Sequence, residues 1–368
     1  MDNFIVSARK YRPTTFLSVV GQPSLTSTLK SAIASGKLAH SYLFCGPRGV
    51  GKTTCARIFA KTINCLNPTA DHEACNECES CKAFNEQRSY NIHELDAASN
   101  NSVDDIRSLI EQVRIPPQIG NYSVYIIDEV HMLSSQAFNA FLKTLEEPPS
   151  YAIFIMATTE KHKVLPTILS RCQIFDFNRI GINDVVKQLQ MIAEKEGIKT
   201  DVEGLGIIAQ KADGAMRDAL SIFDQVTVCT GGNVTYKNVI DNLNILDYDY
   251  YFKLVNNFCE GNISEALLTF NEILSKGFDA QHFVSGLSSH CRNLLVRKEE
   301  KTVSLMEVGD ETRELFKKQA QTCEDDFLIK ALMLANQCDL NYRVSKNKRL
   351  LVELMLIRLC QLSDKKKI

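Results

Sequence analysis

The chain has no apolar run approaching the roughly eighteen residues that a membrane-spanning helix needs. Its first residues, Met1-Asp-Asn-Phe-Ile-Val6, lack the basic segment and apolar core of a secretory leader, so a cytoplasmic location is expected. A dominant charge is missing too. The 42 Lys and Arg nearly balance the 44 Asp and Glu for a formal net charge of -2, which excludes nucleic-acid binding by overall charge and requires any DNA contact to be local. There is no heptad repeat, low-complexity tract or long disordered linker, and Lys365-Lys-Lys367 reads as a solvated end. Thirteen cysteines are an odd number, and most stand singly in apolar patterns. Cys55, Cys229, Cys259 and Cys360 therefore read as small buried hydrophobes in a reducing compartment.

At 368 residues, two or three domains are expected, with apolar content ample for real cores. The organising stretch is Gly46-Pro-Arg-Gly-Val-Gly-Lys-Thr53, which fits the phosphate-binding pattern G-x-x-x-x-G-K-[ST]. It follows the apolar run Ser41-Tyr-Leu-Phe-Cys45, a predicted buried strand, and precedes a helical face of Ala56, Phe59, Ala60 and Ile63. Glycines 46, 49 and 51 let backbone N–H groups turn inward, and the helix start adds the positive end of its dipole. Lys52 would reach the outer phosphates, as a surface charge, and Thr53 would complete a magnesium shell.

Cys65, Cys75, Cys78 and Cys81 form a C-x9-C-x2-C-x2-C array in a polar stretch. Four thiolates close a tetrahedral zinc site with no open position, so the metal is expected to be structural, with little effect on nucleotide binding. A strand at residues 92–95 leads to Asp96-Ala-Ala-Ser-Asn-Asn-Ser102 and a helix carrying Val103, Ile106, Leu109, Ile110 and Val113. Ser102 with Asp105 is a capping pair, although the same helix start is able to hold a backbone phosphate. Val124-Tyr-Ile-Ile-Asp128-Glu129 is a strand ending in two acids, the first placed for magnesium and the second for the attacking water. Another buried strand, residues 151–157, runs into Thr158-Thr159. Strands alternating with helices predict a parallel sheet covered on both faces, with ligands at the carboxyl ends. From about residue 180 the pattern is wholly helical, with segments at 248–259, 263–275, 280–297, 325–340 and 346–362, and a solvated break at Glu299-Glu-Lys301. The last segment is apolar almost all round, as at a subunit contact.

Several motifs, in order, resemble one family: the gamma/tau subunits of the bacterial DNA polymerase III clamp loader. They are Ala8-Arg-Lys-Tyr-Arg-Pro13, Val19-Val-Gly-Gln22, Gly46-Pro-Arg-Gly-Val-Gly-Lys-Thr-Thr54, the four-cysteine insert, Asp96-Ala-Ala-Ser99, Asp128-Glu-Val-His131, Ser170-Arg-Cys172 and Gly214-Ala-Met-Arg-Asp-Ala219. The resemblance is specific over residues 4 to about 225. It implies an α/β P-loop AAA+ module over 1–179 with the zinc insert at 65–81, a helical lid over 180–242, and an all-α collar over 243–368.

By matching position, the resemblance implies that Gly46, Pro47, Arg48, Gly49, Val50, Gly51, Lys52, Thr53 and Thr54 hold the phosphates of ATP. Thr53 and Asp128 would hold Mg2+, and Glu129 would activate water. Thr159 would be the first sensor, Arg217 the lid sensor in cis, and Arg171 the finger reaching a neighbour's site. Tyr11, Arg12 and Pro13 would line the adenine pocket, and Cys65, Cys75, Cys78 and Cys81 would hold zinc. The implied function is an ATPase that loads a sliding clamp onto primer-template DNA within the polymerase III holoenzyme, whose polymerase chemistry lies on another subunit. Implied partners are delta, delta prime and further gamma/tau copies joined through the collar, in a nucleoid-associated replisome. Some members carry a basic pair after Asp-Ala-Ala-Ser, where this chain has Asn100, Asn101 and Ser102, so DNA contact there would use polar groups. A chain ending at Ile368 reads as a gamma-like form or a shortened tau. The rivals are a non-hydrolysing arm of the same ring, which would not need Lys52 and Glu129, and an AAA+ DNA translocase, against which stand the cysteine insert and the collar-like helices.

Overall fold

In the computed structural model, which describes residues 5–243, 245–306 and 310–362, five parallel strands form the frame. They are β1 (Ser41–Cys45), β2 (Ile92–Asp96), β3 (Ser123–Asp128), β4 (Ala152–Thr158) and β5 (Gln173–Asp176), in the order β2-β3-β4-β1-β5. The expected α/β P-loop AAA+ arrangement is present. β1 and β4 are buried at every position. Successive side chains point to opposite faces, so a strand covered on both sides must be apolar throughout. Tyr42, Phe44, Ile126 and Ile155 join one core, while Leu43, Ile127, Phe154 and Met156 join the other.

Helices α1 (Ser7–Lys10), α2 (Pro23–Ser35), α3 (Lys52–Ile63) and α4 (Glu79–Asn85) precede β2. The first core takes Leu25 and Leu29 from α2 and Ala56, Phe59 and Ile63 from α3. Helices α5 (Val103–Val113) and α6 (Ser135–Glu146) supply Ile106, Leu109, Phe138 and Phe141 to the second. The Ser102–Asp105 pair forms a true capping box, each side chain accepting from the other's backbone N–H. α7 (Pro166–Leu169) and α8 (Ile182–Glu196) follow, then α9 (Val202–Lys211), α10 (Met216–Cys229) and α11 (Tyr236–Leu243).

The chain divides into two compact units, one of residues 1–195 with 211–225, the other of 196–210 with 226–368. In the second, α12 (Tyr248–Glu260), α13 (Ile263–Ser275), α14 (Ala280–Arg297), α15 (Asp310–Thr322), α16 (Asp325–Tyr342) and α17 (Lys348–Gln361) share one core. The sequence pattern missed three features of this unit. β6 (Lys199–Thr200) pairs with β7 (Asn233–Val234), too short a ladder to show alternation. The expected break after Arg297 is partly a 3-10 turn, Glu300–Leu305. α15 is mostly polar and buries little beyond Phe316, Gln319 and Ala320, which hid its period. Among the cysteines expected inside, Cys55 and Cys360 are buried and Cys259 is half-buried, but Cys229 is exposed in the last turn of α10. The Lys365 to Lys367 end lies outside the described residues.

His290 on α14 is 1% exposed among Tyr251, Phe252 and Phe316. Its Nε2 lies 2.8 Å from Gln319 Oε1, whereas its Nδ1 has no protein partner among the described residues. Burial pushes its pKa down to about 4. Between that value and the ordinary value near 6.5, the unfolded chain binds the proton and the folded unit does not, so stability is complete above about pH 6.5 and falls toward pH 4. The urea midpoint of the helical unit should therefore drop between pH 7.5 and 5, by on the order of 1–2 kcal/mol in stability, and His290→Asn should flatten that drop. Equal pH dependence in both proteins would contradict it.

Candidate functional site

Parallel strands all end on one edge, and three of these ends carry the candidate nucleotide site. The turn after β1 opens with Gly46 at φ 146°, where an added Cβ would lie 2.5 Å from the Phe177 carbonyl oxygen. No other residue fits without moving that backbone. Gly49 (φ 78°) is pressed against α10: its Cβ would meet Ala215 Cβ at 2.9 Å and Arg217 Cβ at 3.5 Å. Arg217, exposed on the first turn of α10, is thus carried directly over the phosphate loop.

Lys52 opens α3 and is 6% exposed, so it is a buried cation, not the surface charge expected. Its Nζ donates to the carbonyls of Gly46 and Pro47, both at 2.8 Å. Burial lowers its pKa, and the nearby Glu129 and Asp128 oppose that shift. An ammonium satisfied only by two loop carbonyls keeps donor capacity for an anion. Thr53 Oγ1 donates to Asp128 Oδ2 at 2.7 Å, bringing together the hydroxyl and the carboxylate expected to share a magnesium ion. Arg12 reaches the same helix, its Nε donating to Thr54 Oγ1 at 3.2 Å, while Tyr11 and Pro13 are half-buried beside it in sequence.

Glu129 sits in the left-handed region at φ 48° and ψ 45°, a conformation that costs a non-glycine residue on the order of 1 kcal/mol. Its Oε2 accepts from the Thr159 N–H at 3.2 Å and Oγ1 at 3.1 Å, so the expected sensor holds the expected base. His131, to which the sequence assigns no role, joins them. Its Nδ1 lies 3.0 Å from Thr158 Oγ1 and 3.4 Å from Glu129 Oε2, and its Nε2 lies 3.5 Å from Glu160. A lone His after two acids gives no signal by spacing.

Arg171 is not part of this cluster. It precedes β5, whose parallel register with β1 pairs Tyr42 with Gln173 and Cys45 with Asp176. The arginine is therefore at the amino end of the sheet while the phosphate loop of its own chain is at the carboxyl end. There it pairs with Glu146 at 2.7 Å and donates to the Thr167 carbonyl at 2.7 Å.

The four cysteines converge, with ligand atoms all within 4.8 Å of one another. Cys65 Sγ lies 3.5 Å from Cys75 Sγ and 4.0 Å from Cys78 Sγ, and Cys75 Sγ lies 4.0 Å from Cys81 Sγ. Sulfurs about 2.3 Å from a tetrahedral zinc would be roughly 3.8 Å apart, so the donor set fits that ion. N–H groups of Glu77 and Cys78 point at Cys75 Sγ and lower its pKa, which favours the thiolate that a metal requires. Lys61 on α3 is 3% exposed and donates to Asn76 Oδ1 at 2.6 Å, beside the cluster. Burial lowers its pKa, and the thiols of Cys81 and Cys65 oppose this.

Three family models tile the chain: "DNA polymerase III, delta subunit" over residues 21–181, "DNA polymerase III clamp loader subunit, ATPase lid domain" over 184–232, and "DNA polymerase III subunits gamma and tau domain III" over 234–367. The tau subunit of Bacillus subtilis is 39% identical over 96% of this chain and 63% of its own length. The Escherichia coli tau subunit is 40% identical over 75% of this chain and 43% of that protein. The gamma subunit of Buchnera aphidicola subsp. Baizongia pistaciae is 37% identical, covering 74% of this chain and 73% of that one. The chain thus spans about two fifths to two thirds of the two tau subunits and nearly three quarters of the Buchnera gamma subunit, and it belongs to the gamma/tau family of bacterial DNA polymerase III subunits.

Proposed function

We propose that this chain is an ATP-binding and ATP-hydrolysing motor subunit of a clamp loader, acting in the polymerase III holoenzyme to place a sliding clamp on primer-template DNA. The observation that carries it is the convergence of Lys52, Thr53, Asp128, Glu129 and Thr159 at one edge of the sheet. Residues 1–179 serve as the nucleotide-binding domain, 180–242 as the lid and 243–368 as the collar, a division supported by the spans of the three family models. The collar would join delta, delta prime and further gamma/tau copies. No helix among the described residues is long and apolar enough to cross a membrane, in keeping with a cytoplasmic, nucleoid-associated role.

The triphosphate is bound by the backbone of residues 46–54 and by Lys52, which exchanges its two carbonyl partners for phosphate oxygens. Thr53 and Asp128 would hold magnesium, which would supply charge neutralisation on the phosphates. Glu129 orients and deprotonates the attacking water, and Thr159 holds its carboxylate at rest. Arg217 senses nucleotide from the lid side, and Tyr11, Arg12 and Pro13 contact the base. Arg171 serves the neighbouring subunit, a role supported by its place at the end of the sheet away from its own phosphate loop. Cys65, Cys75, Cys78 and Cys81 would hold zinc, which would stabilise the insert.

Lys52→Ala should weaken ATP binding by about 10–100-fold, the worth of one or two charge-assisted hydrogen bonds, without loss of thermal stability, since it removes a buried cation. Titration with a fluorescent ATP analogue checks this, and wild-type affinity in the folded variant would remove the phosphate-loop assignment.

Wild-type protein should carry about one zinc per chain, and Cys75→Ser or Cys78→Ser should carry almost none. Elemental analysis decides it; a metal-free wild type purified without chelators contradicts the site.

In assembled rings, Arg171→Ala should leave ATP binding nearly normal and slow hydrolysis by about 10³-fold, the lower range for a trans-acting finger. Mixing Arg171→Ala with Glu129→Gln subunits should restore some activity, because a wild-type Arg171 then faces a wild-type Glu129. No gain over the separate variants, with co-assembly verified, would place Arg171 in its own chain's service.

A further inference from the structure

We propose that the carboxylate of Glu73 couples the four-cysteine loop to recognition of the nucleotide base. It fixes the segment 11–22 from the metal side, so that metal in the loop tightens binding of adenosine nucleotides and leaves binding of the phosphates alone unchanged. This rests on the reading of Tyr11, Arg12 and Pro13 as the base pocket.

Glu73 lies two residues before Cys75, inside the loop that Cys65 and Cys75 close. It is 8% exposed, which an ionised carboxylate tolerates only with donors around it. It has three. Oε2 accepts from the Phe16 N–H at 2.9 Å, Oε1 from the Leu17 N–H at 3.1 Å, and Lys30 Nζ on α2 pairs with Oε1 at 2.7 Å. Its backbone is fixed within the loop: the Thr69 N–H donates to its carbonyl at 2.9 Å, and its own N–H donates to Thr69 Oγ1 at 3.2 Å. The position of the carboxylate therefore follows the fold of the loop, and the fold of a four-thiolate loop follows its metal.

The segment it grips has other anchors. Arg12 is held to α3 through Thr54, and Gln22, 3% exposed, donates to the Asn178 carbonyl at 2.7 Å and accepts from the Asn178 N–H at 3.3 Å. Those two belong to the sheet domain and do not depend on the cysteines. Phe16 is itself packed in the first core, but between the segment and loop residues 70–72 lies a cleft of about 540 Å³, lined by Phe16, Leu17 and Val19 and floored by α2. Across that gap, the carboxylate is the bridge. The phosphate loop, residues 46–53, is held by β1, Lys52 and the contacts of Gly46 and Gly49, with no bond to Glu73 among the described contacts. Loss of the bridge should therefore free the base side of the site and spare the phosphate side.

The test measures dissociation constants of ATP and of inorganic tripolyphosphate, by competition against a fluorescent ATP analogue, for wild type and Glu73→Gln, each zinc-loaded and zinc-stripped. Gln keeps the volume but turns an amide donor toward N–H groups that need an acceptor. Expected is about a tenfold rise for ATP in Glu73→Gln, the cost of ordering a segment that is then seldom in its binding form, with tripolyphosphate changed less than twofold. Stripping zinc from wild type should give the same split, and stripping it from Glu73→Gln should add less than about twofold, since both act through one link. Unchanged ATP affinity in the variant overturns the proposal. So does an equal loss for both ligands, which marks general damage to the domain, or full additivity with zinc removal. Wild type that binds ATP no more tightly than tripolyphosphate would sink the base-pocket reading and the coupling together, while the phosphate-loop reading would stand.

Discussion

The hydrogen-bond ladder of a parallel sheet carries every strand to the same edge, and the nucleotide site depends on that alignment before it depends on any side chain. Cys45 at the end of β1 pairs with Thr158 at the end of β4, and Ile127 of β3 pairs with Met156. Asp128, Thr158 and the turn at Gly46 are thereby brought to one rim, where the Gly46 N–H donates to the Thr158 carbonyl at 3.2 Å. Glycine is needed where the chain then turns, because the Phe177 carbonyl occupies the space of a Cβ. The same ladder places Arg171 at the far end, away from the phosphate loop of its own chain.

Within the rim the charges are managed by burial and partnership. Lys52 is desolvated yet kept near two carboxylates, and its Nζ donates to two carbonyls of its own loop. Glu129 is held in a left-handed backbone by Thr159, with His131 beneath it linking Thr158 and Glu160. The left-handed backbone at Glu129 therefore holds a modest local strain within the rim.

Much of this was legible from spacing. The phosphate loop, the acids at the end of β3, the capping box at Ser102 and the C-x2-C pairs are local in sequence, so their chemistry is written in consecutive residues. Less legible were elements whose burial comes from distant partners. α15 shows little period because one aromatic, Phe316, does most of its packing, and the ladder of β6 with β7 is too short to alternate. Cys229 matched its buried neighbours in type but falls on the outer side of a last helical turn.

By itself, the sequence determined the fold class, the phosphate-loop motif, the paired acids and the four-cysteine array, because periodicity and short motifs act over a few residues and need no knowledge of the rest of the chain. Only the tertiary structure decided that Lys52 is buried, that Thr159 and His131 hold Glu129, that Arg171 faces away from its own phosphate loop, and that Glu73 reaches Phe16 and Leu17. Apart from the short reach of His131 to Glu129, each of these is a contact between segments about thirty to more than a hundred residues apart, or the burial that such contacts create. Their geometry follows from strand order and packing, and neither is encoded at any single position.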